Sequence, residues 1–267
     1  VRNKFVPVAN VTRFVEALAK LDRRGAAERQ IVVVSGDAGL GKSRTALWWA
    51  VQNDAVRVHC KPQCTPAWVL SDLVRELGIA PKRTAQDLFG QATGALARDP
   101  RPLVIDEVEH TLARDIAALD TLRSLVDLVE VPLVLIGRER TAERLRGHRQ
   151  IWTRIGAACE FHPLTPADVR LLADELVEGE VADDACALVH EACEGRIRDA
   201  LAGLAQIEAV ARKHGRATAA DLAGLRLGHP WARRAGKVIG LPRREAGAPP
   251  LERGQTPASA SPREETA

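Results

Sequence analysis

The octet Gly36-Asp37-Ala38-Gly39-Leu40-Gly41-Lys42-Ser43 constrains this chain more than any other feature, because it fits GxxxxGK[ST], a phosphate-binding loop. Its flanks fit as well. Residues 30–35, Gln-Ile-Val-Val-Val-Ser, form a short β-branched stretch that predicts a buried strand. Residues 44–51 predict a helix. Strand, glycine loop and helix in that order are the context the motif needs. The glycines let backbone N–H groups wrap a phosphate without Cβ clashes, and the helix N-terminus adds partial positive charge. Lys42 is expected to reach the β- and γ-phosphates and Ser43 to ligate Mg²⁺. The octet, together with Arg44, is the expected nucleotide-contacting run.

Further along, the pattern alternates. Asn10 stands where it caps a helix over 11–21, with Phe14, Leu18 and Leu21 on one face. A second strand is expected over 55–60, then helices over 66–77 and 84–97. A third strand covers 102–106, a helix about 116–128, a fourth strand 131–137 and a short fifth 158–161. Strands alternating with helices predict an α/β fold with a parallel sheet covered on both faces. From Leu164 the pattern turns all-helical. Thr165-Pro-Ala-Asp168 is a strong helix start, and Gly179 is placed to end that helix. Further helices are expected over 183–193 and 196–214, with Thr218 capping a short last one. Three parts result: a phosphate-loop α/β domain over 1–163, a small helical domain over 164–228 placed as a lid, and a basic, Pro-rich disordered tail over 229–267.

The chain has 267 residues, 46% hydrophobic and 27% charged, enough for a full core. No apolar run approaches the roughly 18 residues of a membrane span, and the N-terminus lacks a signal-peptide core. A cytoplasmic location is expected. A net charge of +3 does not by itself indicate a nucleic-acid partner, so any basic patch must come from the fold. Five cysteines, with no second ligand pair near His59-Cys60-x-x-x-Cys64, read as unpaired structural thiols.

The second half of the site is Leu103-Val-Ile-Asp106-Glu107, an apolar strand ending in two acids about sixty residues after the glycine loop. Asp106 is expected to hold the metal through its water shell. Glu107 is expected to orient and deprotonate the attacking water. Phosphoryl transfer also needs positive charge at the γ-phosphate, and Arg198, Arg154, Arg149 and Arg138 are the candidates.

On these residues the chain resembles an AAA+ ATPase. More narrowly, it is similar to the branch of transposition target-selection ATPases that includes phage Mu transposition protein B, near the ExeA-type secretion ATPases. The similarity covers about residues 5–226. Its specific parts are the glycine loop, residues 103–107, residues 132–137, and Arg154-Ile155 followed by Phe161-His-Pro-Leu164-Thr-Pro. The resemblance implies ATP and Mg²⁺ as cofactors. It implies Arg198 as the sensor-2 arginine and Arg154 near the finger supplied to a neighbouring subunit. Phe5-Val6-Pro7 falls where such proteins contact adenine. At the sensor-1 position, usually small and polar, stands Gly137-Arg138. The resemblance departs from phage Mu protein B in its N-terminal helix-turn-helix domain and from the secretion ATPases in their membrane segment and wall-binding domain, none of which is read in this sequence; the lack of a membrane segment favours the transposition expectation.

The resemblance further implies an ATP-dependent homo-oligomer, a filament or ring, that assembles on double-stranded DNA with little sequence preference and recruits or stimulates a transposase. Lys61, Lys82, Arg83 and Arg140 are the candidate DNA contacts. Competing readings are a helicase-loader or replication-initiator relative, a nucleotide-controlled docking switch without DNA, and a metabolic kinase. The all-helical C-terminal part with Arg198 argues against the last.

Overall fold

The computed structural model describes residues 1–23, 25–26, 28–112 and 115–228. The expected tail over 229–267 lies outside the described residues.

The chain opens with α1 (Ala9–Asp22), β1 (Ile31–Ser35), α2 (Lys42–Gln52) and β2 (Val56–His59). Next come α3 (Pro66–Glu76), α4 (Ala85–Arg98), β3 (Leu103–Asp106), a 3-10 turn (Val108–Leu112), α5 (Ala117–Val129) and β4 (Leu133–Ile136). Two short helices, α6 (Thr141–Arg146) and α7 (Arg149–Trp152), lead to β5 (Ile155–Glu160). The remainder is α8 (Pro166–Leu176), β6 (Glu180–Val181), α9 (Asp183–Cys193), α10 (Ile197–His214) and β7 (Arg216–Ala217).

The first five strands form one parallel sheet in the order β2-β3-β4-β1-β5. Side chains on a strand alternate between faces, and the burial follows that rule. Ile31, Val33, Leu103, Ile105, Leu133 and Leu135 pack with α3, α4 and α5. Val32, Val34, Val104, Val134 and Ile136 pack with Phe14 of α1 and Ala46 and Ala50 of α2. Both faces are therefore covered, which is why these strands read as unbroken apolar runs. A third core joins α8, α9 and α10 and takes in Val6, Val8 and Val11 from the start of the chain.

Several expectations need correction. Asn10 is not the cap of α1: the cap is Val8, without a side-chain bond, and Asn10 lies inside the helix, 3% exposed. Its amide instead donates to the His162 carbonyl at 2.8 Å, and its oxygen accepts from the His162 N–H at 3.0 Å. The free N–H of Ala9 is taken by Asp168 Oδ1 at 2.8 Å. The α8 helix ends at Leu176, before Gly179, whose φ of 117° serves the turn into β6. Among the described residues no helix follows Thr218. Its hydroxyl and N–H donate to Asp221, and the segment runs as successive turns. The fifth strand starts at Ile155 rather than 158. The α6 and α7 helices and the two-residue parallel pair β6–β7 were not expected.

All five cysteines are free thiols, and burial pushes Cys159 up to about 11. Among the described residues no helix is long and apolar enough to cross a membrane.

Candidate nucleotide site

In this strand order the carboxyl ends of β1 and β3 flank that of β4. The loop after β1 and the acids ending β3 therefore open onto one cleft, the usual place for a ligand in an open parallel sheet. Its volume is about 470 Å³, and Gly39, Gly41, Lys42, Ser43, Arg44, Asp106, Glu107, Arg138 and Arg198 are among its lining residues.

The loop is held from below. Gly36 has φ 144°, and a Cβ there would stand 2.7 Å from the carbonyl oxygen of Phe161, which follows β5. Only glycine permits that approach. Gly41, at φ 91°, ends the loop where α2 begins, so the first N–H groups of α2 face the cleft. Lys42 Nζ donates to the carbonyls of Gly36 and Asp37, at 2.7 and 2.6 Å. Burial lowers its pKa, opposed by the carboxylates of Glu109, Asp37 and Asp106. Asp37 accepts from Ala38 N–H at 2.7 Å, and Leu40 is buried beneath the loop. These two expected contact residues, like Gly36, shape the loop rather than line the phosphate cleft.

Asp106 is 2% exposed, and its side chain bonds to Ser43, Arg57 and the Glu107 N–H. Its Oδ1 accepts from Ser43 Oγ and from the Glu107 N–H, each at 3.1 Å. Its Oδ2 accepts from the Arg57 guanidinium at 2.5 Å. Glu107 has φ 56°, a left-handed conformation uncommon for its residue type. Its Oε2 lies 3.5 Å from His59 Nε2 and 3.3 Å from His110 Nε2. Ser43 and Asp106 supply the hard oxygen donors that Mg²⁺ takes. Their 3.1 Å contact and the loop glycines fit a magnesium-bound triphosphate.

The arginines separate. Arg198, in the first turn of α10, lines the cleft and has no acidic partner among the described residues. Its neighbour Arg196 pairs with Glu194 at 2.8 Å and Asp199 at 3.8 Å. The Ile197 N–H donates to the Gly39 carbonyl at 3.1 Å, fixing α10 to the loop. Arg138 reaches the cleft through β4 and pairs with Glu109 Oε1 at 2.9 Å. Arg154 lies at the other end of the sheet. Its carbonyl accepts from Ile31, at the start of β1, and its Nε donates to Asp127 at 3.1 Å. It cannot reach the phosphate loop of its own chain. Arg149 is exposed on α7.

A second pocket of about 210 Å³ adjoins the cleft. Phe5, Val6, Val8, Val11, Leu40, Leu172 and Leu176 line it, and it shares Gly41, Arg44, Ile197 and Leu201 with the cleft. Phe5 stacks on Trp48 at 4.5 Å between ring centroids. Pro7, expected beside Phe5 and Val6, faces solvent. Of the candidate DNA contacts, Lys61 pairs with Asp72 at 3.1 Å and Lys82 stands 3.9 Å from Asp87. Arg83 and Arg140 are exposed and have no ion pair among the described residues.

Sequence reasoning missed Arg57, His59, Glu109 and His110. The signal for the first two was the alternation Val56-Arg57-Val58-His59: two charged or polar side chains on one face of a strand that pairs with β3. Glu109 and His110 come one residue after the acid pair, in a 3-10 turn that brings Glu109 to the cleft and His110 to Glu107.

Residues 24–145 match the family model described as an AAA domain. No curated protein matches the chain. Among solved structures, the Aeropyrum pernix ORC1 protein in complex with DNA is similar at TM-score 0.57 and 19% identity, over 81% of this chain and 63% of that one. Cdc6p from Pyrobaculum aerophilum is similar at 0.58 and 17%, over 83% and 68%. A mutant of Thermotoga maritima RuvB is similar at 0.51 and 18%, over 81% and 67%. This chain thus spans less than two thirds of the ORC1 chain. At these identities the likeness shows the fold: a five-stranded parallel P-loop sheet of the AAA type.

Proposed function

We propose that this protein, whose residues 24–145 match the family model described as an AAA domain, binds ATP with Mg²⁺ in the cleft and hydrolyses it. We further propose that in the ATP state it assembles on double-stranded DNA and recruits or stimulates a transposase. The observation that carries the nucleotide reading is the convergence of Lys42, Ser43, Asp106, Glu107 and Arg198 on one cleft. Ser43 and Asp106 would hold the magnesium, which when bound neutralises phosphate charge. Lys42, now on two carbonyls, is positioned to turn to phosphate oxygens. Glu107, 45% exposed beside His59 and His110, would face an attacking water, whereas Asp106 is fully engaged and Glu109, 14% exposed, pairs with Arg138. The apolar pocket with Phe5 and Val6 would take the base.

In this reading residues 164–228 act as a lid on an α/β domain of residues 1–163, and Arg198 senses the γ-phosphate. Arg154, at the far end of the sheet, would serve a neighbouring subunit's nucleotide, which makes assembly depend on ATP. DNA as a partner is supported by the fold's likeness to ORC1 in complex with DNA and to Drosophila ORC bound to DNA. Contacts of Arg83 and Arg140 with the phosphate backbone would ignore sequence and weaken with salt. Lys61 and Lys82 would have to leave their acids first.

The same likeness favours a second reading, a replication-initiator or helicase-loader relative. The test is DNA retention with ATP, ADP or no nucleotide across a salt series, followed by pull-down with transposase or replicative helicase. Equal retention in all three nucleotide states refutes the ATP-dependent assembly. Capture of the helicase rather than the transposase decides for the second reading.

A further inference from the structure

We propose that Arg57 is a positioning residue for the magnesium site, holding Asp106 so that one chosen oxygen faces the metal. The inference rests on the nucleotide reading above and concerns a residue that this reading does not use.

The β2 strand is the edge strand of the sheet, paired in register with β3: Arg57 opposite Val104, His59 opposite Asp106. Val56 and Val58 point into the core shared with α3 and α4. Arg57 and His59 therefore lie on the other face, where Val104 packs beside α2 and where Asp106 meets Ser43. From one step back along the strand, the Arg57 side chain reaches diagonally to Asp106.

The consequences follow from how Asp106 is held. A carboxylate 2% exposed has no water to compensate its charge. Arg57, 30% exposed, supplies the compensating charge at 2.5 Å, on Oδ2 alone. The other oxygen, Oδ1, is the one that Ser43 and the Glu107 N–H share. The guanidinium thus fixes the carboxylate's rotation: Oδ2 toward β2, Oδ1 toward the phosphate loop. A partner that orients a metal-side carboxylate belongs to the outer shell of the site, and removing such partners costs about 10–100-fold in metal affinity. Lysine keeps the charge but presents one nitrogen in place of a planar fork. The Arg57 Nε is buried without a partner, so the residue is held here by its single bond to Asp106 rather than by a network.

The test is the gain in nucleotide affinity that magnesium confers. A fluorescent ATP analogue is titrated into full-length wild type, Arg57→Gln and Arg57→Lys, once with Mg²⁺ and once with EDTA. Mn²⁺ binding in the presence of ADP is followed in parallel by the loss of the free-ion EPR signal. We expect Arg57→Gln to lower the metal-dependent gain and the Mn²⁺ affinity by about tenfold, with EDTA affinity within twofold of wild type. Arg57→Lys should recover more than half of that loss on a logarithmic scale. A gain in Arg57→Gln equal to wild type overturns the inference. So does an equal fall with and without metal, which marks general damage to the cleft. If Arg57→Gln does not melt cooperatively, Arg57→Met replaces it with the same expected loss. Wild type that binds no nucleotide under either condition overturns the nucleotide reading itself.

Discussion

Asp168 ties the helical C-terminal part of the described chain to its first helix, and its removal gives a sharp test of that connection. Asp168 is 7% exposed. Its Oδ1 accepts from Ala9 N–H at 2.8 Å, and its Oδ2 accepts from Thr165 N–H at 2.9 Å and Thr165 Oγ at 2.7 Å. It is thus half of a capping box for α8 and, at the same time, the cap that α1 lacks from its own residues. Substitution by alanine removes one cap, worth about 1 kcal/mol. It also leaves the half-buried Ala9 N–H without its bond to a charged acceptor, worth about 1.5–3 kcal/mol. A total of about 2.5–4 kcal/mol at pH 7 follows. With a urea m-value of about 2–3 kcal/mol/M, the midpoint should fall by roughly 1–2 M. The pH dependence has a definite sign. Burial alone would raise the Asp168 pKa, but the bonds from Ala9 and Thr165 and the charge of Arg13 outweigh it and hold it below the ordinary carboxylate value. Its stabilisation is therefore complete above the unfolded pKa, about 3.9, and is lost as pH falls through the folded value. The stability gap between wild type and Asp168→Ala should be constant from pH 8 to pH 5 and should close below about pH 4. A gap under about 1 kcal/mol at pH 7, or one that widens on acidification, refutes the reasoning.

Other substitutions probe the cleft. Lys42→Met should weaken ATP binding at least about tenfold in a fluorescent-nucleotide titration. Because burial disfavours the Lys42 charge, wild type should gain stability on the variant as pH rises through the folded Lys42 pKa toward the ordinary lysine value. Glu107→Gln should bind ATP with near wild-type affinity yet slow hydrolysis by about 10²-fold or more. Rapid turnover by that variant removes Glu107 as the base. Gly36→Ala should cost about 2–4 kcal/mol in a denaturant melt, since its Cβ would meet a backbone oxygen at 2.7 Å that β5 holds in place.

What the sequence showed and what it hid divide along the range of the interactions. The strands β1, β3 and β4 were legible because both of their faces are buried, so each is a continuous apolar run. The phosphate loop and the start of α8 were legible because their chemistry lies within a few residues. The α6 and α7 helices were not, because the arginine-rich stretch 138–154 buries few side chains, among them Leu145 and Ile151, too few for a period. Asn10 looked like a cap because the local pattern allows it. Its real partner, His162, is 152 residues away. Arg57 was read as part of a strand, but the oxygen it holds depends on which strand lies beside it and in what register. The β6–β7 pair joins two dipeptides that carry no strand signal of their own.

Two of the links between the first and last parts of the described chain differ in kind. Asp168 to Ala9 lies behind the apolar pocket and owes nothing to phosphate. Ile197 to Gly39 is made inside the phosphate loop itself. Because the Ile197 N–H is already engaged by the Gly39 carbonyl, that amide is not available to an anion. What α10 can still offer a phosphate is the Arg198 side chain, whose neighbour Arg196 is committed to Glu194 and Asp199. A ligand filling both pockets would touch Gly41 and Arg44 on one side and Ile197 and Leu201 on the other. The apolar contacts of Ile197 and Leu201 distinguish a base from water but not a triphosphate from a diphosphate. Discrimination between the two therefore falls to the charged groups at the far end of the cleft, and among these Arg198 is the one carried by α10. On the proposed reading, a response of α8–α10 to loss of the γ-phosphate would begin there.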